Sequence, residues 1–225
     1  MDENHTAIIF DLDDTLYKEI DFLVSAYRFI VQDVNKQHHC PDAFDFMMNE
    51  FRHGRDAFGS LINKYGIPSS KEQLLQMYRN HIPDITLPRE TQETLRHLKA
   101  QGIKMGLMTD GRSITQRNKI TALGLHAYIA DDSILISEEF GSTKPCRNNY
   151  EYFVLKFQAN TYYYIGDNPA KDFITPNAMG WHTVCLANDG RNIHPQHIAT
   201  EQNYQPEYTI SSLTEILNLL KHHEQ

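Results

Sequence analysis

The sequence predicts an α/β fold, a doubly wound parallel sheet with an all-helical segment inserted after its first strand. Short apolar runs that end in turn-forming polar residues recur at Ala7–Phe10, Ile103–Met108, Ile134–Ile136, Tyr162–Ile165 and His182–Leu186. Continuous runs of this length read as strands buried on both faces of a parallel sheet. Helical patterns separate the later runs, the alternation expected of such a sheet. Between Tyr17 and about Pro88 the pattern is helical throughout, with no convincing strand.

Taken in order, Ala7–Phe10 is the first strand, and it ends in Asp11, Asp13 and Asp14. The insert contains helical stretches at Phe22–Val34, Ala43–Arg52, Asp56–Tyr65 and Lys71–His81, broken at Cys40-Pro41, His53-Gly54 and Gly66-Ile67-Pro68. It is too long for a loop. It is therefore expected to form a small helical domain over residues 17–88, hinged near Tyr17–Glu19 and Asp84–Pro88, against a core of residues 1–16 and 89–225. Thr91–Lys99 is helical in composition and closes at Gln101-Gly102 as a C-cap would. Ile114–Leu123 precedes Gly124, Asn148–Phe157 follows, and Ser211–Lys221 places Leu213, Ile216, Leu217 and Leu220 on one face.

Composition removes several function classes. The 225 residues are 40% hydrophobic, enough to bury a core, so disorder is not the reading. A formal charge of −8 argues against a nucleic-acid partner. No apolar stretch approaches the roughly 18 residues of a membrane span, and the acidic start MDENHTAIIF does not read as a signal peptide. Cys40, Cys146 and Cys185 are widely spaced and form neither a disulfide framework nor a C-x-x-C pair. A soluble, cytoplasmic globular protein is expected.

In open parallel sheets ligands lie beyond the carboxyl ends of the strands. Asp11, Asp13, Thr109, Asp110 and Asp167 each follow a strand-like run and should converge there. Two carboxylates two residues apart at a strand end can face one crevice. Clustered anions need a cation, and oxygen ligands suit Mg2+. An EF-hand loop beginning at Asp11 would need glycine sixth and glutamate twelfth, where this chain has Leu16 and Phe22. A helix N-cap role for Asp13 or Asp14 remains the plainer alternative. Gly166-Asp167-Asn168-Pro169-Ala170-Lys171-Asp172 adds two acids, and Gly141–Pro145 offers Lys144 in a turn between strand and helix. Thr109 contributes a hydroxyl, and the turn at Asp110-Gly111 backbone N–H groups near a helix start. Acids for a cation, with a lysine, a hydroxyl and amides for an anion, make a phosphoryl-transfer set.

FDLDDTLY, LMTDG, the lysine of STKP and IGDNPAKD, in this order, resemble the four motifs of the haloacid dehalogenase (HAD) superfamily. The helical insert is similar to the cap of its subfamily I phosphatases, and the resemblance spans essentially the whole chain. It implies a Rossmann-like core, with Asp11 as nucleophile through an aspartyl-phosphate and Asp13 as general acid and base. Asp13 also separates phosphatases from dehalogenases. The resemblance further implies Mg2+ held by Asp11, the Asp13 main-chain carbonyl, Asp167 and Asp172, and a phosphoryl group gripped by Thr109, Asp110 and Lys144. The second motif usually reads Thr/Ser-Asn-Gly. Asp110 is tolerable there if backbone N–H groups make the contact, and repulsive if its carboxylate faces the phosphate.

The expected activity is therefore Mg2+-dependent hydrolysis of a small phosphorylated metabolite. A phosphomutase on the same scaffold and a non-catalytic binding module are the alternatives. Arg52, His53 and Arg55 form a small basic patch in the insert that faces either a substrate anion or solvent. Lys64, Tyr65 and Arg79 are weaker candidates of the same kind. His38-His39-Cys40, His222-His223, His194 and His197 lack metal-ligand spacing. Tyr162-Tyr163-Tyr164 and Cys185 read as core packing.

Overall fold

The computed structural model describes residues 6–196 and 201–223. Six strands form one all-parallel sheet: β1 (Thr6–Phe10), β2 (Lys104–Thr109), β3 (Ile134–Ile136), β4 (Thr161–Gly166), β5 (His182–Leu186) and β6 (Tyr208–Ile210), in the order β3-β2-β1-β4-β5-β6. The order reverses at β1, which lies between β2 and β4 and so places the Asp11 loop at the switch point, where such sheets bind ligands.

The strands are buried on both faces. Ile8 and Phe10 join one apolar cluster with Leu107, Ile165 and Val184, while Ala7 and Ile9 join another with Met108, Tyr164 and Cys185. This is the period-two alternation of a strand with no solvent face. Helices α5 (Arg89–Ala100), α6 (Ser113–Ala122) and α10 (Ile216–His223) contribute Leu95, Leu98, Ile120, Ile216 and Leu220 to the first cluster. Helix α8 (Arg147–Phe157) contributes Tyr150, Phe153 and Phe157 to the second. The Phe153 ring lies so close to Gly106 that a Cβ there would come within 2.5 Å of it.

Between β1 and α5 the chain forms α1 (Glu19–Val34), α2 (Ala43–Arg52), α3 (Ala57–Tyr65) and α4 (Lys71–Asn80). They pack around an apolar cluster of their own, including Leu23, Tyr27, Ile30, Met47, Leu61 and Leu74. Local chemistry sets their ends: Asp56 caps α3 through the Gly59 N–H at 3.2 Å, and Ser70 and Gln73 form a capping box on α4. Tyr78 packs against both this cluster and the one under the sheet.

Two short helices, α7 (Ser137–Phe140) and α9 (Ile174–Ala178), and the strand β6 have no counterpart in the sequence reading. Each is five residues or fewer, too short for periodicity to register, and β6 exists because β5 offers it an edge. The helix expected over Ser211–Lys221 opens as a tight turn at Leu213–Glu215 and is α-helical only from Ile216. Among the described residues no helix is long and apolar enough to cross a membrane.

Candidate active site

The site grows out of the loop after β1. The Asp11 N–H donates to the Ile165 carbonyl at 2.8 Å, extending the β1–β4 ladder one residue beyond the strand. The chain then turns back, with Leu16 N–H donating to the Leu12 carbonyl at 3.0 Å. Asp14 takes the left-handed conformation at φ 57°, and its carboxylate accepts the Glu19 N–H at 3.0 Å and the Ile193 N–H at 3.1 Å. Glu19 begins α1, so Asp14 receives the first N–H of that helix, although the N-cap position itself is held by Lys18. Asp13 is engaged elsewhere.

Asp11 lies in a buried ionic cluster. Lys144 Nζ stands 2.5 Å from Asp11 Oδ1, 2.7 Å from Asp172 Oδ1 and 3.0 Å from the Tyr164 hydroxyl. Lys144 and Asp172 side chains are fully buried. Asp172 also accepts the Asn168 N–H at 2.9 Å. Gly166 leaves room for it: a Cβ there would overlap the Asp172 carboxylate. Asp167 accepts from Asn192 Nδ2 at 2.9 Å, and its carbonyl accepts from Gln196 Nε2 at 2.6 Å.

Carboxylate oxygens of Asp11, Asp167 and Asp172 all lie within 4.8 Å of one another. Burial, only partly offset by Lys144, pushes the Asp11 carboxyl up to about 6. Burial and then the neighbouring Asp11 and Asp172 push Asp167 up to about 8. Three acids around one ammonium lack positive charge, and their donors are all hard oxygens. The arrangement fits a small divalent cation such as Mg2+.

Asp13 has a separate set of partners. Tyr17 and Lys119 donate to its Oδ1 at 2.6 and 2.7 Å, and Gln116 donates to Oδ2 at 2.9 Å. Burial opposes its ionisation, but Lys119 and these hydrogen bonds outweigh burial and hold its carboxyl below the usual value. Two aspartates two residues apart thus occupy opposite environments. Gln116 Nε2 also donates to Thr109 Oγ1 at 2.5 Å, which leaves the Thr109 hydroxyl proton for another acceptor.

Asp110 accepts the Lys144 backbone N–H at 3.1 Å and pairs with Lys171 Nζ at 3.3 Å. Its charge is thereby compensated. The Gly111 N–H, expected to face a phosphate, instead donates to Ser137 Oγ at 2.9 Å. A cavity of about 150 Å³ opens over this ground, lined by Asp11, Asp13, Thr109, Asp110, Asp167 and Lys171 and, from neighbouring segments, by Glu19 and His194.

Arg52 and Arg55 do not line this cavity. Arg55 forms a two-pronged pair with Glu50 at 2.6 and 3.0 Å within the helical insert, and Arg52 is exposed. Lys64 and Tyr65 are likewise held by Asp42, at 2.8 and 2.7 Å. The Arg55–Glu50 pair is a local brace at the end of α2, with guanidinium and carboxylate five residues apart. His197 and the side chains of His222 and His223 lie outside the described residues. Sequence reasoning passed over Gln116, Lys119 and Asn192 at the site, gave Lys171 no role there, and set His194 aside. It also read Tyr164 as packing only, although its hydroxyl meets Lys144. Lys171 falls inside the fourth quoted segment; the others carry no local signal.

Acids, a lysine and a hydroxyl gathered at the switch point of a parallel sheet make an α/β site suited to phosphoryl transfer. Residues 8–186 match the family model of the haloacid dehalogenase-like hydrolases, and the chain belongs to that family. It is 28% identical over 228 residues to a glyceraldehyde 3-phosphate phosphatase of Methanocaldococcus jannaschii, covering 96% of each chain. It is 27% identical over 177 residues to the pyrimidine 5'-nucleotidase YjjG of Escherichia coli, covering 77% of this chain and 73% of that one. The fold is similar to the magnesium-bound HAD-hydrolase YfnB of Bacillus subtilis, with a TM-score of 0.68 at 21% identity over 97% of this chain and 99% of that one.

Proposed function

We propose that this hydrolase is a Mg2+-dependent phosphatase that cleaves a small phosphorylated metabolite through an aspartyl-phosphate on Asp11. The observation that carries the reading is the contrast between Asp11 and Asp13. Asp11 shares a buried ionic cluster with Lys144 and Asp172, while Asp13 lines the same cavity and is bound on both oxygens by other donors.

In the first step an Asp11 carboxylate oxygen attacks phosphorus, the bond from phosphorus to the ester oxygen breaks, and that oxygen takes a proton from Asp13. Asp13 is ionised in the free protein. The negative charge of an arriving phosphate raises its proton affinity, so it takes up a proton from water or from the phosphate monoanion before the first step, and the second step leaves it protonated again. In the second step Asp13 takes a proton from water as the water oxygen attacks phosphorus, which returns the Asp11 carboxylate and releases inorganic phosphate. Lys144 and the Thr109 hydroxyl stabilise charge on the phosphoryl oxygens. Asp110 supports this by fixing the Lys144 backbone. Asp11, Asp167, Asp172 and the Asp13 carbonyl would hold Mg2+, which supplies charge neutralisation at the phosphoryl group. The bound substrate keeps its phosphate over Asp11 and its organic part toward Glu19 and His194.

Residues 17–88 serve in this reading as a cap that closes over the core of residues 1–16 and 89–225 and excludes water. Cytoplasmic residence accords with Cys40, Cys146 and Cys185 all being free thiols. Phosphate release from p-nitrophenyl phosphate and a panel of phosphometabolites, with Mg2+ and no bisphosphate activator, tests the reading. Turnover that vanishes in Asp11→Asn supports it. Release no greater than that of the Asp11→Asn protein overturns it in favour of a binding module, and release that requires a bisphosphate points to a mutase.

A further inference from the structure

We infer that Lys119, seconded by Gln116, is the positioning residue that aims Asp13 and ties it to the helical insert; this rests on Asp13 being the acid of the proposed reaction. Lys119 is nearly inaccessible, and a lysine is seldom buried without a dedicated partner. Its ammonium has three neighbours: Asp13 Oδ1 at 2.7 Å, Glu19 Oε1 at 3.6 Å and the Phe22 ring, whose centre lies 4.5 Å away. Asp13 belongs to the loop after β1, whereas Glu19 and Phe22 belong to the first two turns of α1.

Gln116 lies one turn earlier on the same helix, α6, and its amide bridges Asp13 Oδ2 and Thr109 Oγ1. Helix α6 therefore grips both oxygens of Asp13 through two side chains three residues apart, as neighbours on one helical face can. Tyr17 adds a hydrogen bond to Oδ1 at 2.6 Å. A carboxylate bound in this way has its side-chain torsions set before substrate arrives, which is what a proton donor must have to meet a departing oxygen.

The same helix holds the far end of the insert. Thr115 donates to the Arg79 carbonyl at 3.0 Å, and Asn118 donates to the Asn80 and His81 carbonyls at 3.2 and 3.0 Å. Helix α6 thus touches the insert where the chain enters it, through Lys119 on Glu19 and Phe22, and where α4 ends. Moving the insert away would strip two of the three neighbours from Lys119. The acid is consequently aimed best when the insert is seated on the core.

The test uses leaving groups that differ in their need for a proton. p-Nitrophenolate departs readily without one, whereas an alkoxide such as that of glycerol 3-phosphate does not. Lys119→Met is expected to lower kcat on glycerol 3-phosphate by about 100-fold with little change in KM. Single-turnover release of p-nitrophenol should fall far less, and Lys119→Arg should restore most of the alkyl-ester rate. In an Asp13→Asn background Lys119→Met should add nothing. Gln116→Leu, which removes no buried charge, should show the same selective loss at smaller size and serves if Lys119→Met does not fold. Equal losses on both esters, or losses that multiply in the Asp13→Asn background, would overturn the assignment while leaving the phosphatase reading intact. Full alkyl-ester turnover in Asp13→Asn alone would remove the phosphatase mechanism itself.

Discussion

The Asp110 carboxylate accepts the backbone N–H of Lys144 at 3.1 Å, joining the end of β2 to the lysine-bearing turn. An acid that would repel a phosphate if it pointed into the cavity instead sets the height of the lysine that attracts one, and Lys171 shares its remaining charge. Asp110→Asn keeps an acceptor for the Lys144 N–H and should retain kcat within about threefold, under 1 kcal/mol. Asp110→Ala leaves that N–H unpaired and should cost roughly tenfold or more in kcat. Phosphate release by the two variants measures the difference; equal rates would show that the contact does not place Lys144.

Lys144 is the sole ammonium within hydrogen-bond reach of Asp11 and Asp172 among the described residues. Removing one partner of a buried pair leaves uncompensated charge, at a cost of about 3–5 kcal/mol. Lys144→Met should therefore lower Tm by roughly 10 °C as well as abolish turnover. Thermal melts without metal check this, and a melt equal to that of the parent protein would show that the cluster tolerates its own repulsion.

The carboxyls at about 6 on Asp11 and about 8 on Asp167 have a stability consequence of definite sign. Both are raised above their unfolded values near 4, so the folded chain binds more protons than the unfolded chain between those limits. Metal-free stability from these groups is then lost as pH rises from about 4 to about 8. Mg2+ competes with those protons, so the Tm gain on adding it should be larger at pH 8 than at pH 5.5. At a hundredfold excess over Kd the gain is about 2.7 kcal/mol, or roughly 5–10 °C. A metal-induced shift independent of pH would contradict the shared cluster.

Arg52 and Arg55 sit away from the cavity, and Arg55 is engaged by Glu50. Arg52→Ala and Arg55→Ala should leave KM for phosphate esters within about twofold. A tenfold rise in KM for either would mean that the insert swings these side chains over the phosphate during turnover.

The acids Asp11, Asp13 and Asp167 and the lysine Lys144 are legible in the chain because each stands next to a strand or turn signal that depends on its immediate neighbours. The parallel sheet imposes one further rule, that all strand ends share an edge, and the acids' convergence follows from it. Gln116 and Lys119 are not legible in this way. They lie within α6, a largely polar helix, where a buried lysine and an exposed one look alike until the residues opposite are known. The converse holds for Arg55: it reads as an unpartnered base until the fold brings Glu50 against it.

Local order of apolar and polar residues was thus sufficient for the strand edges, the helical insert and the placing of acids at strand ends, since those depend on short-range pattern and chirality. Which oxygen each acid presents, and to what, was decided only when β1, β2, β4 and α6 packed together. Lys144 on Asp11, Lys119 on Asp13 and Asn192 on Asp167 join residues 25 to 133 positions apart. Charge selection over such separations is a matter of burial and distance in space, which no local pattern encodes.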